Sequence, residues 1–237
     1  MKLPLLLVFI TLFKPQVLGS TIEDAEQALQ DLEDLNLLYQ GELHLHMNNQ
    51  SDILRGQLME MQTQTQQEIL DQVNNILSKI STMAENTQTS TGANVDNCLS
   101  TANEDLADFA NEMSDRLNDC YGSMLDTGNY MLYTSWSKVW DEYDLSYRCA
   151  KMGFEECKNY GNEGCPDDLI SGYEYSKEYI EQAFTALKTD MVNQITGMNY
   201  PCRQMILEEM ALYPSLILNY VGLCLEIINA PNFMPRC

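Results

Sequence analysis

The sequence is short of the side chains that do chemistry. It has two histidines in 237 residues, His44 and His46. They stand two apart on a predicted helix and so point to different faces. Helical zinc ligands are spaced four apart instead. No G-x-S-x-G, Walker loop, Rossmann glycine pattern or EF-hand loop occurs. Acid pairs stand at Glu155-Glu156, Asp167-Asp168 and Glu208-Glu209. Acid–base catalysis needs carboxyls that converge across a cleft with separated pKa values. Helix ends account more simply for neighbouring acids, Asp167-Asp168 above all. The expectation is a non-enzymatic protein without catalytic residues, cofactor or metal.

Positive charge is also scarce. Lys and Arg total 13 against 35 Asp and Glu, a net charge of −22. Such a chain repels nucleic acid and anionic membranes. It favours solubility and basic partners. Long apolar runs are nearly absent. The nearest later candidate for a span, Leu212 to Ile228, is interrupted by Pro214, Asn219 and Glu226, so no membrane-spanning segment is expected there. Cysteine is missing from the first 97 residues, and strand-like alternation and Asn-Gly hairpins are missing throughout.

The one early apolar run has a clear meaning. Lys2 is followed by Leu3 to Phe13, then by Lys14-Pro15 and small residues at Gly19 and Ser20. A positive start, an apolar stretch and a small-residue cleavage site make a secretory signal. The run is too short for the ~20 residues a membrane span needs. Residues 1–19 are therefore read as a signal peptide cut after Gly19. Loss of Lys2 and Lys14 takes the net charge from −22 to −24. Secretion also makes Asn49-Gln50-Ser51 a usable N-glycosylation sequon.

Helical periodicity dominates the rest. Ser20 and Glu23 have capping-box spacing. Ile22, Ala25, Leu29 and Leu32 follow at spacings of three and four, predicting a helix to about Leu45. Asn48 to Ser51 predicts a break. A second stripe, Ile69, Val73, Ile76, Ile80 and Met83, carries a helix to Ala84. Residues 20–84 thus read as a pair of long amphipathic helices, either a hairpin or coiled-coil-like arm open to self-association or ordinary bundle helices packed on the rest of the chain. Residues 85–95, ENTQTSTGANV, read as a polar linker.

Residues 96–237 read as a cysteine-rich helical bundle. Leu99, Ala102, Leu106, Phe109, Met113 and Leu117 make one face, with a predicted stop at Gly128-Asn129. Further helices are predicted over about 130–154, 168–195 and 202–228. The turns between them contain Gly161-Gly164 and Gly197-Pro201.

All eight cysteines fall here: Cys98, Cys120, Cys149, Cys157, Cys165, Cys202, Cys224 and Cys237. An even count in a secreted chain implies disulfides, with connectivity formally open. Zinc is disfavoured because no C-x-x-C pair exists. Three pairs are centred on one residue, Gly161: Cys98 with Cys224, Cys120 with Cys202, and Cys157 with Cys165. Residues that face each other across an antiparallel hairpin share a midpoint. The expectation is nested bonds stapling an all-α helical hairpin, folded over at Gly128 and Gly197 into a bundle. Cys149–Cys237 follows by elimination.

The stripe Tyr133, Trp136, Trp140, Tyr143 and Tyr147, with Met191, Met198, Met205 and Met210, permits an apolar pocket. An ordinary core with tyrosine hydroxyls at its edge fits the same spacing better.

The Cys98–Cys120 helix and the tyrosine-rich Cys149/Cys157/Cys165 region of an acidic helical chain resemble the tsetse EP domain family of insect secreted proteins. The resemblance covers about Cys98 to Cys224 and rests on cysteine spacing and texture. It implies secretion, often into the gut, with defence-related roles, and supplies no catalytic motif. The acidic Glu-Pro repeats of the family's namesake are absent. The leading expectation is a secreted, non-enzymatic helical protein acting through an unidentified protein partner or as an extracellular structural or defence component. A carrier of a small apolar ligand in the bundle core is the alternative.

Overall fold

The computed structural model describes residues 19–229. The expected signal peptide, up to residue 18, and Cys237 lie outside the described residues. Among those described there are four helices and no strand: α1 (Ile22–Thr91), α2 (Asp96–Tyr160), α3 (Cys165–Thr196) and α4 (Cys202–Asn229). The class is all-α, stapled by disulfides between helices.

α1 begins one residue later than the capping pattern suggests. Thr21 Oγ1 accepts from the Asp24 backbone N–H at 3.2 Å, and Asp24 accepts from the Thr21 N–H at 2.8 Å. This is a reciprocal capping box with Thr21 and Asp24 in place of Ser20 and Glu23. The Ser20 N–H instead donates to Asp167 at the start of α3, at 3.0 Å. α1 ends at Gly92, which adopts φ +69° and donates to the Gln88 carbonyl at 2.8 Å. A left-handed residue there favours glycine.

The break expected at Asn48 to Ser51 does not occur, so the N-terminal helical pair is one helix of 70 residues. The apolar stripe explains this. Leu43, Gln50, Leu54 and Leu58 are all buried, at spacings of seven and four. Asn48 and Asn49 point outward, and Ser51 Oγ donates to Asn129 of α2 at 2.7 Å. Packing on one face overrides the weak local preference of Asn and Ser against helix. The expected linker shrinks as well, since helix continues to Thr91 and only Gly92 to Val95 lie outside it.

The stop expected at Gly128-Asn129 is absent for a related reason. α2 runs through both residues. A Cβ on Gly128 would collide with the Leu54 side chain and lie 3.2 Å from Met198 Sδ. The glycine permits close helix packing, and no fold-over takes place there. The breaks at 161–164 and 197–201 are where the sequence places them.

The chain divides into two compact units, and α1, α2 and α3 each contribute to both. The first unit takes α1 to His46, α2 from Ser135 and α3 to Thr189. Here α1 and α3 run parallel: Asp31 pairs with Lys177, Tyr39 stacks on Phe184 and Glu42 pairs with Lys188. α2 is antiparallel to both, since Trp136 meets His44 and the hydroxyls of Tyr143 and Tyr173 reach Ile180 and Ala150. Leu29, Leu32, Leu43, Tyr143, Ile180 and Phe184 fill the core.

The second unit takes α1 from Met47, α2 to Thr134, α3 from Asp190 and all of α4. α2 opposes α1, with Ser51 on Asn129 and Gln62 on Asn118. It also opposes α4 through two disulfides. Leu54, Ile69, Ile76, Ile80, Leu106, Leu117, Ile206 and Val221 lie in the core. Because α1 packs in both units, residues 20–84 are not an arm apart from the cysteine-bearing helices.

Candidate functional site

The cysteines give the second unit its clearest geometry. Cys98–Cys224 joins the start of α2 to the end of α4, with Cα atoms 6.0 Å apart. Cys120–Cys202 joins the same helices near the opposite end of α4, with Cα atoms 5.8 Å apart. Both separations are ordinary for disulfides. Between the bonds, Phe109 stacks on Tyr213 at 3.7 Å, and Arg116 reaches Glu209 at 2.7 Å. α4 is thus fixed to α2 at four levels.

In the first unit Cys157–Cys165 closes the α2–α3 turn. Gly161 donates to the Cys157 carbonyl at 2.9 Å, and a Cβ there would press on that carbonyl and on Cys165 Sγ. Cys149 is exposed and has no disulfide partner among the described residues. Its expected partner, Cys237, lies outside them.

The aromatic stripe divides between buried and exposed positions. Tyr143 is 1% exposed, and its hydroxyl donates to the Ile180 carbonyl at 3.0 Å. Burial raises its pKa. Tyr147, half-buried, is raised by burial and by its hydrogen bond to Glu33. Trp136 and Trp140 stack on each other at 5.9 Å, and Tyr133 is exposed. Met191 and Met210 are buried core residues, whereas Met205 is exposed.

A cleft of about 400 Å³ in the second unit is lined by Gln57, Glu60, Met61, Gln64, Ile195, Thr196 and Tyr200. It includes none of the stripe. Its wall mixes amides, a carboxylate and hydroxyls with the apolar side chains of Met61 and Ile195. The Tyr200 hydroxyl is shared between Gln57, at 3.3 Å, and the Ile195 carbonyl, at 3.2 Å.

The histidines part as their spacing predicts. His44 lies edge-on to Trp136, with ring centroids 6.3 Å apart. His46 Nε2 lies 3.2 Å from the Lys188 carbonyl. Among the described residues no group of three or more His, Cys, Asp or Glu side chains is placed to hold a metal ion. Asn49 is exposed on α1, but its sequon lies inside a helix, with Gln50 buried and Ser51 bonded to Asn129. Glycan acceptors favour surface loops.

One feature of α4 escapes a reading of the sequence by motifs. α4 is long and apolar enough to cross a membrane, with a mean hydropathy of 1.6 over its best window. This corrects the expectation that no later segment is. It also exposes Leu212, Leu216, Tyr220, Leu223 and Ile227. The signal was present in composition: residues 210–225 carry no charge, in a chain where one residue in five is charged.

The fold and its staples define an all-α, disulfide-stapled helical protein. No protein-family model matches the chain, and no curated protein matches it.

Proposed function

We propose that this chain is secreted and works by binding another protein or as an extracellular structural component, without catalysis. The observation that carries the reading is the framework of three disulfides between helices. Such bonds form and persist in oxidising compartments. The N-terminal pattern of Lys2, apolar Leu3 to Phe13 and small Gly19 supports the same compartment. The resemblance to tsetse EP domain proteins supports a luminal or defence-related setting. Exposed apolar side chains on the helices, among them Leu45, Leu145 and Leu216, suit contact with a partner.

Expression of the full chain in a secreting eukaryotic host tests the reading. The expected product appears in the medium with Ser20 as its first residue. Its non-reduced peptide map contains Cys98 linked to Cys224 and Cys120 linked to Cys202. Retention in the cell with reduced cysteines would overturn the proposal.

A further inference from the structure

The peptide bond between Gly19 and Ser20 lies against the start of α3. The Ser20 backbone nitrogen is 3.0 Å from Asp167 Oδ1, across 147 residues of chain. A Cβ built on Gly19 would lie 3.7 Å from Asp167 Oδ2. Both carboxylate oxygens thus lie beside the bond that the signal pattern marks for cutting. Hydrogen bonds from Ser20, from its side chain first and its backbone second, hold the Asp167 carboxyl below the usual carboxylate range. Asp167 also stands in the first turn of α3, where the helix dipole favours a negative charge.

Neighbouring contacts fix both partners. Thr21 and Asp24 cap α1 reciprocally, which sets the backbone leading back to Ser20. Cys157–Cys165 holds the start of α3 against the end of α2, two residues before Asp167. The Cys165 N–H donates to the Asn162 carbonyl at 3.0 Å and closes the turn. Ser20 is half-buried although it precedes the helix. A stapled corner therefore presents the carboxylate to the chain end.

Cutting this bond changes the chemistry of the donor. In the uncut chain the Ser20 nitrogen is an amide, with one proton and no charge. Water adds across the bond when it is hydrolysed. Its oxygen goes to the Gly19 carbonyl carbon, giving a carboxylate, and both its protons go to the Ser20 nitrogen, giving an ammonium. That nitrogen now carries a full charge beside Asp167, and charge-assisted hydrogen bonds are about twice as strong as neutral ones. The surroundings favour the charge. The helix ends that meet here carry Glu23 and Asp24 on α1, Glu155, Glu156 and Lys158 on α2, and Asp168 on α3, with Glu163 in the turn between. Lys158 is the single cation among these, and it leans over Phe154, 5.7 Å from the ring centroid. An added positive charge is attracted by the junction as a whole and by Asp167 most closely.

We propose that the mature amino terminus is a binding element of the fold: the α-ammonium of Ser20, generated by signal cleavage, pairs with Asp167 and fastens the start of α1 to the α2–α3 corner. This pairing presupposes the secretion proposed above and a cut after Gly19. Maturation then adds a contact that the precursor lacks. A terminus bonded in this way is also withheld from aminopeptidases, which must bind the free amine.

The protein secreted by a eukaryotic host is compared with its Asp167→Asn and Asp168→Asn variants. N-terminal sequencing comes first. A product that starts elsewhere than Ser20 would overturn the cleavage and the pairing together, whereas a Ser20 terminus that proves unbound would overturn the pairing alone. The terminus is then labelled at neutral pH with an amine-reactive ester, which attacks only the unprotonated amine. The tryptic peptide 20–55 contains no lysine, so its label reports the terminus alone. Asp167→Asn is expected to label about two- to fivefold faster than the parent, the range that an exposed ion pair supports. Asp168→Asn removes the same charge one residue away and should label at close to the parental rate. Trimming of Ser20 by an aminopeptidase should follow the same order. If Asp167→Asn loses its helical circular dichroism spectrum, Asp167→Ser decides. Equal labelling of the parent and the folded Asp167 variant would overturn the pairing. Equal acceleration by the Asp167 and Asp168 variants would do so too, because the effect would then belong to the general acidic field.

Discussion

Tyr143 and Asn36 are both polar side chains sunk in the first unit, and they meet opposite fates. The Tyr143 hydroxyl donates to the Ile180 carbonyl, so its burial is compensated. Tyr143→Phe should cost about 1 kcal/mol, the net worth of an ordinary hydrogen bond, read from the denaturant midpoint. Asn36 is 5% exposed, and neither its amide nitrogen nor its oxygen has a hydrogen-bond partner among the described residues. A buried amide without partners opposes stability. It stands at a position where the α1 stripe calls for an apolar residue. Asn36→Leu should raise the melting temperature, corresponding to a gain of about 1–2 kcal/mol. A fall would mean that the amide is satisfied. Burial also raises the Tyr173 phenol from 10.0 to about 12. The folded protein holds that proton more tightly than the unfolded chain does. Stability from this source is complete below pH 10 and is lost as pH climbs to 12. Thermal melts across that range should show a smaller decline for Tyr173→Phe than for the parent.

At the scale of the element, two glycines carry opposite lessons. Gly92 ends α1 in a left-handed conformation, and Gly92→Ala should cost about 1 kcal/mol through backbone strain. Gly128 lies inside α2, where alanine is intrinsically favoured by about 1 kcal/mol. The new Cβ would meet Leu54 and Met198. Overpacking of this kind costs about 1–3 kcal/mol, so Gly128→Ala should be neutral to destabilising by denaturant unfolding. A clear gain would show that the two helices have room to part. Gly128 also explains what the sequence hid. A Gly-Asn pair reads as a helix stop, because nothing local reveals that a neighbouring helix passes within touching distance. Asn48 to Ser51 mislead similarly, since what holds the helix there is burial of Leu43, Gln50 and Leu54 and the bond from Ser51 to Asn129 of α2. The helical faces were legible because burial repeats every three or four residues, as Ala102, Leu106, Phe109, Met113 and Leu117 do. The three bonded cysteine pairs were legible because helices opposed in direction keep a common midpoint, and Gly161 marks it. The exposed stripe of α4 was not, because hydrophobic period alone does not separate a covered face from an open one.

At the scale of the whole molecule, the staples are unequal. By the loop-entropy relation, bonds closing 126 and 82 residues stabilise by about 4–5 kcal/mol each. One closing 8 residues contributes about 2.5 kcal/mol. Replacing Cys98 and Cys224 together by serine should therefore lower the denaturant midpoint more than replacing Cys157 and Cys165. Equal losses would point to strain or residual unfolded structure in place of chain entropy. The nesting has a further consequence. A single backbone cut between Cys98 and Cys224 cannot release a fragment. A cut between Cys120 and Cys202 leaves both long-range bonds joining the two pieces, and that span includes the exposed turn at 161–164 and the break at 197–201. Nicked by a protease in either loop, the molecule would persist as a two-chain protein, separable only by a reductant.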